Sequence, residues 1–159
     1  MSTSNNQEKN LTGSCACGSC TYTSTSPATH LDYCYCIQCQ RISGAPFIAW
    51  MGVPRSTLTF SGPIVHVHLS KIATRGFCEK CGAGLSLQYE CYPEKTHVAA
   101  GTVVRSDFGI PEVGIHIFVK SRPAWHRIAE DGVPRYEEFD EEFEERFPEV
   151  VKELRKLAE

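Results

Sequence analysis

Residues 15–18 read Cys-Ala-Cys-Gly and residues 78–82 read Cys-Glu-Lys-Cys-Gly. Each thiol pair is followed by a glycine, Gly18 or Gly82, which reaches the positive φ that turns backbone N–H groups toward sulfur. A CxC and a CxxC together supply the four thiolates of a closed, tetrahedral, structural zinc site. Such a site ties the start of the chain to its middle and staples a small β domain. The alternative reading is of four scattered cysteines buried as small hydrophobes.

A second cluster lies between the pairs. Residues 34–41 read CYCIQCQR, with Cys34, Cys36 and Cys39 inside six positions. Three protein ligands plus one open position is the arrangement of a catalytic zinc. Three thiolates leave a dication electron-rich, suited to holding another thiolate as a nucleophile more than to activating water. The missing ligand is therefore expected to be the sulfur of a substrate thiol. A distant residue that closes the site is the competing reading: Cys20, Cys91 or one of the six histidines. Cys20 shares a face with Tyr22 on an expected strand and reads as core, while Cys91 sits in the loop YECYPE.

The nine cysteines are odd in number and tightly spaced. Bridges within Cys15/Cys17 or Cys34/Cys36 would be strained, so metal ligation is the better account of most of them. The 159 residues suit one domain, and 42% hydrophobic with 22% charged residues is ordinary for a globular chain. There is no apolar run of about 18 residues to cross a membrane, and MSTSNNQEKN lacks the apolar centre of a secretory signal. The protein is expected to be cytoplasmic, with residues 1–10 a frayed, disordered tail. Residues 137–159 hold 10 acids and 4 bases, and the rest of the chain is only weakly basic. That excludes the dense Lys/Arg patch of a nucleic-acid binder.

Residues 11–135 are expected to form one mostly antiparallel β domain, with strands at Ser19–Ser24, Leu31–Cys34, Phe47–Met51, Thr57–Phe60, Val65–Leu69, Thr74–Phe77, Leu85–Tyr89, Thr96–Ala100 and Ile115–Val119. A tight or short helical turn between Cys36 and Ser43 gathers the cysteines. Residues 136–159 form a helical extension: Phe139, Phe143, Phe147, Val150, Val151, Leu154 and Leu157 make one apolar stripe, with acids on the other face. Pro148 starts the second of its two segments. The acids read as a solvated face, with a partner-binding helix as the alternative. The stripe is suited to cover its own domain or to pair with a second copy of the chain as a homo-oligomer.

The series GSCACGSC, CYCIQCQRISGAPF, RGFCEKCGAGL and PEVGIHIFVKSRPAW, in that order over about residues 12–126, resembles the family of glutathione-dependent formaldehyde-activating enzymes, which also includes centromere protein V. The resemblance implies a small zinc-stapled β fold of the methionine-sulfoxide-reductase-B and Rab-exchange-factor-like type. It implies two zinc ions per chain: a structural one on Cys15, Cys17, Cys78 and Cys81, and a catalytic one on Cys34, Cys36 and Cys39. It also implies glutathione as co-substrate and a carbon–sulfur lyase that adds a thiol to a small carbonyl, giving S-(hydroxymethyl)glutathione from formaldehyde. The chain departs from the family at Tyr35, where histidine is frequent, at Gln40, at Cys20 and in its acidic tail.

Arg41 follows the cluster closely enough to meet a substrate carboxylate, and His116, in GIHIF, matches a family histidine and is a candidate proton donor. Their plainer readings are a surface ion pair and a hydrogen-bonded structural histidine. Trp50 and Trp125 are candidates for the pocket wall or the core, His66 and His68 for a metal or an exposed strand face, and Arg75 for support of the four-thiol site. Two rival functions stand beside the thiol-adduct enzyme. One is an enzyme on the same scaffold with an electrophile larger than formaldehyde. The other is a non-catalytic module that uses the acidic tail on a protein partner.

Overall fold

The computed structural model describes residues 8–157, so most of the expected 1–10 tail falls outside the described residues. Eleven strands alternate with few helical segments. In chain order they are β1 (Leu11–Ser14), β2 (Thr21–Ser24), β3 (His30–Cys34), α1 (Ile37–Ser43), β4 (Ile48–Pro54), β5 (Leu58–Ser61), β6 (Ile64–Ser70), β7 (Ala73–Cys78), β8 (Gly84–Tyr89), β9 (Lys95–Ala99), β10 (Val103–Ser106), β11 (Val113–Ile117), α2 (Glu141–Arg146) and α3 (Pro148–Leu157). Nine of these strands lie where the alternation of apolar and polar residues places them. β1 and β10 do not announce themselves: each is four residues long, and LTGS and VVRS carry too few apolar positions to set a period.

The strands form a four-stranded sheet, β10-β1-β2-β5, and a seven-stranded one, β11-β3-β4-β9-β8-β7-β6. Pairing is antiparallel except between β11 and β3, which run parallel with Ile117 opposite Cys34. The burial pattern follows from this arrangement. Successive side chains of β3 and β4 point to opposite faces of the large sheet. Leu31, Met51, Val53, Leu85 and Val98 pack with Leu11 and Tyr22 from the small sheet into one core. Cys34, Cys39, Trp50, Ala73 and Leu87 make a second core on the opposite face. Residues Trp50–Val53 of β4 are buried without a break because the strand is covered on both sides. Each fully buried side chain such as Met51 or Leu85 contributes about 1.5–3 kcal/mol.

The C-terminal segment lies over this second face. Asp140 caps α2 by accepting from the Phe143 N–H at 2.7 Å. Phe139 and Phe143 stack at 4.1 Å, Phe143 meets Tyr89 at 5.4 Å, and Phe147 meets Tyr92 at 5.6 Å. α3 begins at Pro148, and Arg155 returns to Glu138 and Glu144. The apolar stripe therefore covers its own domain, while Glu141, Glu142 and Glu145 face outward. The side chains of Leu154 and Leu157, expected in that stripe, lie outside the described residues.

Gly13 is required by close approach: a Cβ there would sit 2.0 Å from the ring of Tyr22, which is 1% exposed and bonded through its hydroxyl to Thr102. Gly13→Ala is expected to cost about 2 kcal/mol and lower the melting temperature by several degrees. Gly101→Ala, where an added Cβ meets nothing within 4 Å, leaves it unchanged. Thermal unfolding followed by circular dichroism compares the two.

Candidate functional site

Cys15 follows β1, Cys17 lies in the turn toward β2, Cys78 ends β7 and Cys81 lies in the turn toward β8. Their four sulfurs lie within 4.8 Å of one another. Gly18 and Gly82 take φ of 76° and 74°, and their N–H groups close the turns onto the carbonyls of Cys15 and Cys78. The N–H of Cys20 donates to Cys15 Sγ at 3.2 Å. Burial raises the Cys15 thiol, yet hydrogen bonds from Cys20 and the neighbouring thiols bring it down to about 6. The donor set fits zinc. A Zn–S length of about 2.3 Å sets tetrahedral edges near 3.8 Å, and the sulfurs of Cys15/Cys17 and Cys17/Cys78 stand 3.6 and 3.8 Å apart.

The second group joins Cys34, at the end of β3, with Cys36 and Cys39 of the α1 turn, again within 4.8 Å. Cys36 is the N-cap of α1 and accepts from the Cys39 N–H at 3.4 Å; Trp50 Nε1 donates to Cys39 Sγ at 3.4 Å. These three are the whole of this cluster among the described residues. The Cys36 thiol is held below the usual thiol range. Hydrogen bonds from the Cys34 and Cys39 thiols, then the Cys39 N–H and the Arg75 charge, pull it down to about 3. Those same hydrogen bonds and burial push Cys34 well above the usual thiol range. Arg75 is 5% exposed, and its Nε and Nη1 have no partner. An unpaired buried guanidinium is costly, and here it offsets the charge that three thiolates retain around a dication. Three soft donors with that counter-charge fit zinc as well.

A cleft of about 440 Å³ opens on Cys34. Its floor is the outer face of the large sheet, where His30, Asp32 and Cys34 alternate along β3 beside Trp50 of β4 and His97 of β9. Its far wall is the C-terminal segment, through Phe139, Phe143 and Phe147. Burial pushes Asp32 up to about 7, with Asp140 adding to the rise, and burial pushes His30 down to about 4. Both shifts favour the uncharged forms, so their 3.3 Å contact is a weak ion pair near neutral pH.

The remaining candidates lie apart from this cleft. Arg41 is exposed at the end of α1 and makes no ion pair among the described residues. His116 is 1% exposed, with Nδ1 3.2 Å from the Tyr35 hydroxyl and Nε2 2.9 Å from Asp131. By strand alternation it faces away from Cys34, which pairs with the adjacent Ile117. Trp125 is 73% exposed, and His66 and His68 are exposed on β6. Cys20 is buried in the inter-sheet core, its thiol donating to Pro63 O, and Cys91 belongs to neither cluster. Arg75 is buried, and its charge helps to lower Cys36 of the three-thiol group. Sequence reading passed over His30, Asp32 and His97. The i, i+2 spacing of His30 and Asp32 before Cys34 was the available signal, but only the pairing of β3, β4 and β9 assembles the three.

A family model described as glutathione-dependent formaldehyde-activating enzyme matches residues 10–121, well over half of the chain. Comparison with curated proteins gives no match. Among solved structures, the crystal structure of a Rhodobacter sphaeroides protein is similar at 20% identity with a TM-score of 0.49, over 63% of this chain and 97% of that one.

Cys81→Ala is expected to abolish soluble folded protein, whereas Cys36→Ala folds and binds one metal ion fewer per chain; elemental analysis with circular dichroism separates the two. His97 gives a pH test. Burial, then the charge of His30 and of Lys95, lowers it from 6.5 to about 3. The unfolded chain takes this proton first, so the stability carried by neutral His97 is complete above about pH 6.5 and is lost as pH falls toward the folded value. The His97 ring resonances are expected to hold their neutral shifts down to about pH 4 in a proton NMR titration.

Proposed function

The chain belongs to the glutathione-dependent formaldehyde-activating enzyme family, and from that premise we propose that it is a zinc carbon–sulfur lyase that joins a small thiol, glutathione or one like it, to a carbonyl compound. The observation that carries this reading is the three-thiol group, with Cys34 at the floor of a cleft, Cys36 partly exposed and no fourth protein ligand among the described residues. Bound by Cys34, Cys36 and Cys39, zinc would hold a substrate sulfur as thiolate at neutral pH. In the reaction a C–S bond forms, the C=O π pair moves to oxygen, and the proton lost by the thiol ends on that oxygen. The reverse direction breaks the C–S bond and returns thiol and carbonyl.

The chain's own residues prepare this site. Trp50 fixes Cys39 through its indole N–H and closes the back of the cleft. Arg75 offsets the charge of the sulfurs from below. The cleft walls would hold the two reactants together, which removes much of the entropic barrier. His116 we place behind the site: both ring nitrogens are bonded, so it braces the layer under β3 and has no proton free for substrate. Arg41 would meet only a substrate carboxylate that reaches out of the cleft. Cys15, Cys17, Cys78 and Cys81 carry the structural zinc. The binding-module alternative keeps the outward acidic face of the tail but gives no role to a three-thiol group beside a cleft.

Elemental analysis is expected to find two zinc ions per chain, and calorimetry a glutathione-binding event that vanishes in Cys36→Ala. Exchange between formaldehyde and its glutathione adduct, followed by NMR, is expected to quicken with the protein and to return to the uncatalysed rate in the same variant. Two zincs with no thiol binding would overturn the assignment of the open position.

A further inference from the structure

The family match ends at residue 121, yet one wall of the cleft over Cys34 is built by residues 139–147. That wall is fixed in place. Phe139 and Phe143 stack at 4.1 Å and 14°, Arg146 lies 4.2 Å from the Tyr92 ring, and its guanidinium reaches Glu94 at 2.5 Å. Facing it across the cleft are Trp50, Leu87 and Ile117. The seat between them is aromatic and aliphatic, within a cleft of about 440 Å³. A one-carbon electrophile would leave this aromatic wall without a partner.

The charges narrow the occupant further. Asp140 and Glu142 line the tail side, Arg146 is already tied to Glu94, and Lys95 is the remaining cation of the lining. A carboxylate on the electrophile would be repelled there. A flat, uncharged body matches the stacked rings.

We propose that the Phe139–Phe147 wall selects the electrophile, and that the cleft takes an uncharged aldehyde with an aromatic body in preference to formaldehyde. The proposal rests on the thiol-addition reading above. The step balances as before: sulfur bonds to the aldehyde carbon, the π pair goes to oxygen, and the thiol proton follows it, giving an aryl hemithioacetal with no oxidant or reductant. The wall lies beyond the residues that the family model matches and lines the same cleft as Cys34, where the aldehyde substituent would lie when its carbon meets sulfur.

The test uses the zinc-loaded full chain with glutathione and three aldehydes: formaldehyde, benzaldehyde and 4-carboxybenzaldehyde. NMR exchange gives kcat/KM for each. Benzaldehyde is expected to exceed formaldehyde by about tenfold or more, and 4-carboxybenzaldehyde to fall about tenfold below benzaldehyde. Phe143→Ala is expected to cut the benzaldehyde-to-formaldehyde ratio by about tenfold. Glu142→Lys, an exposed change outside the ring stack, is expected to restore 4-carboxybenzaldehyde toward benzaldehyde. Binding of benzyl alcohol, which cannot react, is expected by calorimetry to weaken in Phe143→Ala.

Turnover of formaldehyde alone, or a ratio untouched by both variants, overturns the selecting wall and leaves thiol addition standing. Equal turnover in wild type and Cys36→Ala overturns the reading of the site itself, whatever the ratio. No turnover of any aldehyde overturns both.

Discussion

Four sulfurs hold two sheets together. Cys15 and Cys17 leave the small sheet through β1, Cys78 and Cys81 leave the large one through β7, and the group lies against the core that both sheets share. With its small sheet only four short strands wide, the domain would gain from a metal on these sulfurs what a larger apolar interface would otherwise supply. The turn geometry serves the same end. Gly18 and Gly82 permit the left-handed bends, and the bends bring N–H groups onto the thiolates, which favours the charged sulfurs that a metal needs.

The inter-sheet core beside these sulfurs also defines the two faces of the large sheet. Because one face is committed to the inter-sheet core, the other is free to carry chemistry. β3 delivers Cys34 to that face, and α1 folds Cys36 and Cys39 back beside it. β4 sets Trp50 against Cys39 from the neighbouring strand. The result is a thiol group in an apolar setting, where one buried arginine is the compensating charge. The contrast between the clusters is physical. One is closed by four sulfurs and backbone donors; the other stops at three and opens to a cleft.

The tail gives the site its shape. Its aromatic ladder lies on Tyr89 and Tyr92, and its acidic face looks outward, so a segment that reads as an appendage becomes a wall. The packing explains why the acids are tolerated there. They stand at the rim or in solvent, with Glu138 and Glu144 answered by Arg155.

By itself the sequence determined the parts that depend on local rules. Two-residue alternation marked nine strands, Pro148 marked the start of α3, and glycine after each thiol pair marked the turns. The division of seven cysteines into a group of four and a group of three was legible from spacing, because ligand pairs in tight turns must be close in sequence. β1 and β10 were not legible, being short and polar enough that only pairing with each other and with β2 makes them strands. Tertiary structure alone decided where Arg75, His97, His116 and the tail rings would point. Each is a single residue or a stripe whose neighbours come from distant strands: Arg75 is buried on β7 with its charge felt at Cys36, and His116 lies on the face of β11 away from Cys34. Strand order and register assign such residues to a face, and both are set by the packing of the two sheets, which no local pattern records.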